Sequence, residues 1–267
     1  MEFFAYLASA LIGVSLGLIG AGGSIFTVPV LVYLFGINPL LATSYSLFIV
    51  GTTSLMGAFN NYKKGYTSIK TALLFGTSSI TTVFLIRKFI IPRIPENLFS
   101  IGGYMLTEHI VTMVLFALLM IAASIAMISS GNKKIEPANV QKINFPKLLA
   151  FGFAVGLTTG FLGAGGGFLL IPTLVLLVGL SMKQAIGTSL LIIALNSLIG
   201  FTGDLGHFKI DWPFLLTITA IAIAGVFVGG SLNKKFDGQK LKKGFGWFVL
   251  VMGICILLKE LLLEIPG

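Results

Sequence analysis

Long stretches without a charged side chain dominate the chain and set its elements. Residues 3–62 carry none, and further charge-free runs cover 71–86, 109–132, 148–182, 184–203, 212–233 and 244–258. A helix that crosses ~30 Å of hydrocarbon needs about 20 apolar residues. Most of the runs fit one crossing each. The run 71–86 is short, but apolar residues resume after Arg87 and continue to Ile91. Residues 3–62, and the neighbouring runs 148–182 and 184–203, are too long for one crossing and must fold back or break. Segments such as Met113–Met127 are apolar on every side rather than at alternate positions. That pattern predicts helix and disfavours a β-barrel.

The chain also repeats itself. A shift of 143 residues aligns 13–57 with 156–200 without a gap, with 18 identities in 45 positions. The anchor is Gly17-Leu18-Ile19-Gly20-Ala21-Gly22-Gly23 against Gly160-Phe161-Leu162-Gly163-Ala164-Gly165-Gly166. It extends through Pro29/Pro172, Gly36/Gly179, Ser46/Ser189, Ser54/Ser197 and Gly57/Gly200. Each half reads as five helical segments. The first gives 4–19, 24–35, 40–61, 69–91 and 105–128; the second gives 147–162, 167–178, 182–203, 212–233 and 243–263. The first two segments of each half are short and joined by a Gly-rich break. The polar, turn-rich stretch Ser129–Pro146 joins the halves. The expected fold is an all-α polytopic membrane protein: a first membrane repeat over 1–129, a linker over 130–146 and a second repeat over 147–267.

Charge placement arbitrates the topology. If each pair of short segments crosses once, the loops share the 18 Lys and Arg equally. If each pair enters and returns, thirteen fall on one side and five on the other, with Arg87, Lys88, Arg93, Lys209 and Lys259 in the minority. The second arrangement satisfies the positive-inside rule. It predicts external termini, a cytoplasmic linker and halves of opposite orientation, an inverted repeat of the kind found in transporters. Met1-Glu2 lacks the basic region of a signal peptide, so the first segment is expected to be retained.

Composition narrows the function classes. Of 267 residues 56% are hydrophobic and 10% charged, against roughly 25% charged in a soluble protein. A net charge of +9 would suggest nucleic acid in a soluble chain. Here the basic residues cluster between apolar runs, so no nucleic-acid partner is expected. Cys255 lies in an apolar run and reads as a buried small hydrophobe. One Cys and two His supply neither a disulfide nor a metal centre. No phosphate-binding loop appears, so no cofactor is expected. The partners implied are the bilayer, a small anion and a coupling ion, proton or sodium; oligomeric state has no signature in the chain.

The glycine breaks are the first site candidates. Helices end at glycine because it enters left-handed geometry without steric cost. The short helices that follow would begin with unpaired N–H groups and partial positive charge. Irregular backbone at membrane depth must be buried in protein or line a cavity. The two breaks are therefore expected to face each other near the midplane and to hold an anion through Gly22, Gly23, Gly165, Gly166 and Gly167. The competing use of such glycines is close helix packing. Ser24 and Thr27 follow the first break. The cluster Thr43-Ser44-Tyr45-Ser46 and the pair Thr188-Ser189 begin long helices at repeat-related positions. Hydroxyls there, Ser44, Ser46, Thr188 and Ser189 among them, can donate to anion oxygens. Asn196 is the most interior amide. Asp204 and His207, just past one span, and Glu108 with His109, opening another, are expected externally as gating or proton-coupling groups.

The duplicated Gly-Ala-Gly-Gly followed by Pro, together with Gly187-Thr188-Ser189, resembles the TauE/SafE sulfite exporter family of membrane permeases, and the resemblance covers nearly the whole chain. It implies transport of sulfite, sulfonates or related organic anions, coupled to an ion. The halves differ in their fourth segment: the second has Gly225, Gly229 and Gly230, the first Thr77-Ser78-Ser79-Ile80-Thr81-Thr82 and then Arg87-Lys88. The first reading is therefore a secondary transporter for a small anion, not an enzyme. The alternatives are a passive anion channel, a non-transporting assembly subunit, and an intramembrane serine protease. The last is opposed by the 18 residues separating Ser189 from His207, ~27 Å along a helix.

Overall fold

A computed structural model describes residues 2–19, 24–95, 97–101, 104–129, 145–163, 167–233 and 238–263. In the first half, α1 is Glu2–Ile19, α2 Thr27–Tyr33, α3 Pro39–Lys63 and α4 Ile69–Leu85. A wide π turn, Ile86–Ile90, and a 3-10 turn, Ile91–Arg93, extend α4. The strands β1 (Asn97–Ile101) and β2 (Tyr104–Thr107) pair antiparallel before α5 (Glu108–Ser129). The second half contains α6 (Phe145–Leu162), α7 (Gly167–Val178), α8 (Met182–Asp204), α9 (Trp212–Asn233) and α10 (Gly238–Leu263). The hairpin is the one departure from all-helical structure among the described residues; β2 takes the first residues of the segment 105–128 that was expected to be helix.

Local chemistry explains the helix ends. Pro39 opens α3, and Asn38 Oδ1 accepts from the Leu40 N–H at 2.9 Å. Ser181 and Gln184 form a reciprocal capping box on α8. Both short helices stop at repeat-related glycines with left-handed backbone, Gly36 (φ 65°) and Gly179 (φ 73°). The next N–H, of Ile37 or Leu180, bonds back to Leu31 O at 3.1 Å or Leu174 O at 3.2 Å.

By length and composition five helical stretches can cross a membrane: Pro39–Lys63, Ile69–Arg93, Glu108–Ala126, Lys183–Asp204 and Trp212–Leu232. Large apolar side chains, including Phe59, Phe153, Phe227 and Trp247, point outward. In water such a surface would be an association hazard; in lipid it is the solvated face. Cys255 belongs to this face: it is exposed on α10, not buried as its apolar neighbours suggest, because α10 turns one side away from its partners.

The packing is symmetric under exchange of the halves. α1 pairs with α9 and α6 with α4; α3 crosses α8, and α5 lies on α10. Along the central seam Gly57 meets Leu190 while Leu47 meets Gly200, so α3 and α8 run antiparallel. On the flanks the partners run parallel: Gly13 meets Ala222 and Gly17 meets Val226 and Gly229, while Gly152 meets Phe75 and Gly160 meets Ile86. These approaches are backbone against backbone or nearly so, and a Cβ at Gly13 or Gly17 would collide with a carbonyl of α9. Small residues permit the close approach that holds helices together without a hydrophobic drive. Gly17 and Gly160, which open the duplicated motif, are thus packing residues.

Candidate anion site

The seam carries one buried ion pair. Arg87 lies at the start of the π turn, and such widened turns are frequent at functional sites. Its side chain is fully buried, as is that of Asp204, which ends α8. Arg87 Nη1 donates to Asp204 Oδ2 at 3.1 Å and to Thr43 Oγ1 at 3.0 Å. Thr43 in turn donates to Leu40 O at 2.7 Å. Gly203 makes room for the arginine, since a Cβ there would sit 3.0 Å from Arg87 Cβ.

The centre is only half satisfied. One guanidinium nitrogen serves both partners, and Nε and Nη2 have none. Those two N–H groups share one edge of the planar group, the fork that fits two oxygens of an anion side by side. Asp204 Oδ1 and the Ser44 hydroxyl lie side by side, and neither makes a hydrogen bond of good geometry. A buried unsatisfied donor costs about 1–3 kcal/mol, and more on a charged group. An oxyanion at this edge would remove that cost. Ser46 Oγ closes the centre by donating to Gly163 O at 2.9 Å. Gly163 itself has φ 65°, and a Cβ there would lie 2.5 Å from Thr43 O.

The residues singled out in the sequence divide among several places. Gly22, Gly23, Gly165 and Gly166 lie outside the described residues. Their flanks do not converge: Gly163 sits against the start of α3, whereas Gly17 packs on the last turns of α9, at the opposite end of the seam. Antiparallel α3 and α8 send these flanks to opposite ends; the breaks themselves, expected to face each other, lie outside the described residues. The first short helix has seven residues, Thr27–Tyr33. Ser24 and Thr27 are buried before and within it, and Thr27 Oγ1 has no partner. Gly167 is buried at the start of α7. Thr188 and Ser189 are not with Ser44 and Ser46. Thr188 Oγ1 accepts from Ser68 N at 2.9 Å, and Ser189 Oγ donates to Ile186 O of its own helix at 2.9 Å. They lie about 24 Å along α8 from Asp204.

Asn196 sits between these ends. Its Oδ1 accepts from Ser79 Oγ at 2.9 Å, while its Nδ2 is unpartnered, as are the repeat-related hydroxyls of Ser54 and Ser197. Asp204 is not in the external turn that its sequence position suggested; it is buried. His207 is exposed in that turn, and its backbone N–H bonds to Asp204 O at 3.1 Å. Glu108 accepts from Asn38 Nδ2 at 3.3 Å. His109 Nε2 is 3.8 Å from Glu260 Oε1, which also accepts from Tyr33 Oη at 2.7 Å. A cavity of about 370 Å³ opens beside them, lined by Tyr33, Asn38, His109 and Lys259. Arg87 is the residue that sequence reasoning missed, having counted it among external loop charges. The available signal was a pair of cations, Arg87 and Lys88, inside a run from Thr71 to Ile91 that carries no other charge.

Fold and site together define a polytopic helical membrane protein with a charged, incompletely satisfied centre inside its spans. The chain belongs to the sulfite exporter TauE/SafE family, whose model matches residues 5–256. It is a membrane transporter of that family. Among its relatives, a probable membrane transporter protein of Xylella fastidiosa is 28% identical over 94% of this chain and 92% of its own length. The probable membrane transporter proteins YdhB and YunE of Bacillus subtilis are 24% and 26% identical, over 94% and 97% of this chain and 98% and 96% of theirs. No solved structure matches the chain.

Proposed function

We propose that the protein carries a small oxyanion, sulfite or an organosulfonate, by alternating access, and that the anion binds the open edge of Arg87. The observation that carries this reading is a fully buried guanidinium with two unpartnered N–H groups on one edge. Ser44 supplies a hydroxyl not engaged elsewhere, Thr43 holds Arg87 Nη1 in place, and the family description supplies the sulfur oxyanion. The site joins the halves, since Arg87, Thr43 and Ser44 come from the first and Asp204 and Gly163 from the second. Relative movement of the halves would therefore open and close it. An inverted repeat is supported by the antiparallel run of the repeat-related helices α3 and α8. With cationic loops inside, the termini are external and the linker 130–146 cytoplasmic.

The test is counterflow of ³⁵S-sulfite into proteoliposomes, with thiosulfate, sulfoacetate and chloride as competitors. Arg87→Lys keeps the charge but loses the fork, so apparent affinity should fall about tenfold or more, the equivalent of ~1.4 kcal/mol. Arg87→Gln should abolish uptake in protein that still elutes as a single species. Undiminished sulfite counterflow in Arg87→Gln would sink the assignment. Acceleration by sulfite on the far side distinguishes a carrier from a channel.

A further inference from the structure

We infer that Asp204 is the proton-carrying group of this transporter: it takes up a proton when the anion occupies Arg87 and gives it up when the anion leaves. The inference rests on the anion reading of the Arg87 site. Its basis is the geometry of the pair. Asp204 and the postulated anion do not compete for the same nitrogens. Asp204 Oδ2 holds Nη1, and the Nε/Nη2 edge is open. Both negative groups can therefore sit on one guanidinium at once.

Charge then decides the outcome. With the site empty, Arg87 and Asp204 cancel inside a fully buried centre. An entering monoanion leaves that centre at net −1, and a dianion leaves it at −2. Uncompensated charge in a low-dielectric interior is strongly disfavoured, and a carboxylate is the group that can shed it by taking a proton. Asp204 has an atom free for it. Oδ1 makes no hydrogen bond of good geometry in the buried pair, so a proton added there needs only a turn of the Ser44 hydroxyl. The O–H then has the Ser44 hydroxyl beside it as acceptor. The new bond is O–H at Asp204; the proton comes from water on the side to which the site is open and returns to water on the other. By linkage, anion binding favours protonation to the same extent that protonation favours anion binding.

No other described group is as well placed. From α3 the neighbours are Thr43 and Ser44, and from the π turn Arg87. Lys88 follows, its ammonium over the rings of Phe84 and Phe89 at 5.3 and 5.9 Å. His207 is exposed beyond α8; its backbone N–H bonds to Asp204 O, and its ring is close enough to feel the Asp204 charge but makes no hydrogen bond or ion pair with it. Lys70 on α4, Lys147 on α6 and Lys183 on α8 belong to the first turns of their helices, about 25–30 Å away along the axes. α7 carries no charged residue.

The experiment compares two fluxes of ³⁵S-sulfite in proteoliposomes held at zero membrane potential: counterflow at equal pH, and net uptake driven by an inward proton gradient. Wild-type protein should show both, with the gradient raising net uptake about tenfold. Asp204→Asn keeps the shape and an N–H for Ser44 but cannot carry the proton. It should lose the stimulation, read as the ratio of gradient-driven net uptake to counterflow in the same protein, which falls to about one whatever its counterflow rate. His207→Asn should behave as wild type. Stimulation that persists in Asp204→Asn overturns the inference, because the proton then travels on the anion or on another residue. Loss of stimulation in His207→Asn alone overturns it equally. If Asp204→Asn does not fold, calorimetry of sulfite binding to the wild type at pH 8, in two buffers of different ionisation enthalpy, counts protons taken up. About one per anion is expected, and none overturns the inference. Absence of sulfite counterflow in the wild type is a different failure, that of the anion reading itself.

Discussion

Arg87 and Asp204 stabilise the fold only as a pair. Each alone would be an uncompensated charge in a buried seam, which costs about 3–5 kcal/mol when one partner is removed. Replacing both with apolar residues removes the penalty along with the attraction. Arg87→Leu and Asp204→Leu should therefore each lower the melting temperature in detergent by several degrees. The double variant should recover at least half of the loss while staying inactive in sulfite uptake. If the double variant is as unstable as the sum of the two singles, the pair is not coupled as described. The sequence marks this centre faintly. Thr43, Ser44, Ser46 and Asp204 were legible as candidates because they are polar residues at the ends of apolar runs. Arg87 was not, because counting every charge toward a loop assigns it to a membrane face even though the expected segment 69–91 runs through it. Such a division cannot detect a partner 117 positions away.

At the level of helices, glycine does two different jobs. At Gly36 and Gly179 it ends a short helix through left-handed backbone, which a neighbouring N–H then locks. Along α1, α6 and α9 it removes a side chain so that backbones can touch. Gly229 and Gly230 separate the second job from intrinsic helix preference. Both are helical, but a Cβ at Gly229 would press on Val14 O and on Gly17, whereas one at Gly230 has nothing within 4 Å. Gly230→Ala should leave stability unchanged or gain up to about 1 kcal/mol from helix propensity. Gly229→Ala should cost about 1–3 kcal/mol as α1 is pushed from α9, read as a lower melting temperature and a larger detergent-sensitive fraction. Equal behaviour of the two would refute close α1–α9 packing. The duplication predicted which glycines recur; it did not predict which helix each would meet, since that contact joins opposite halves.

For the whole molecule, the antiparallel seam sets the ends of α3 and α8 on opposite sides, the orientation proposed above rests on charge bias alone, and labelling tests both together. In a Cys255→Ser background, Lys209→Cys should react with an impermeant maleimide on intact cells. Lys64→Cys should react only after permeabilisation. Reaction of both from one side would contradict opposite ends of the seam; exchange of the two would keep the seam and reverse the orientation. Read alone, the chain reveals the approximate positions of the described helices, the duplication and the membrane as solvent. These follow from runs of apolar residues, caps and glycines, which act within a turn or two of where they stand. Only the tertiary structure decided that the two glycine breaks have flanks at opposite ends, that Thr188 and Ser189 part company with Ser44 and Ser46, and that Arg87 is buried against Asp204. Those facts depend on which helix lies beside which and in what direction, and a hydrophobic surface in lipid is much the same for every neighbour. Close approach at small residues and the pairing of buried polar groups make that choice, and both need the partner in place before they exist.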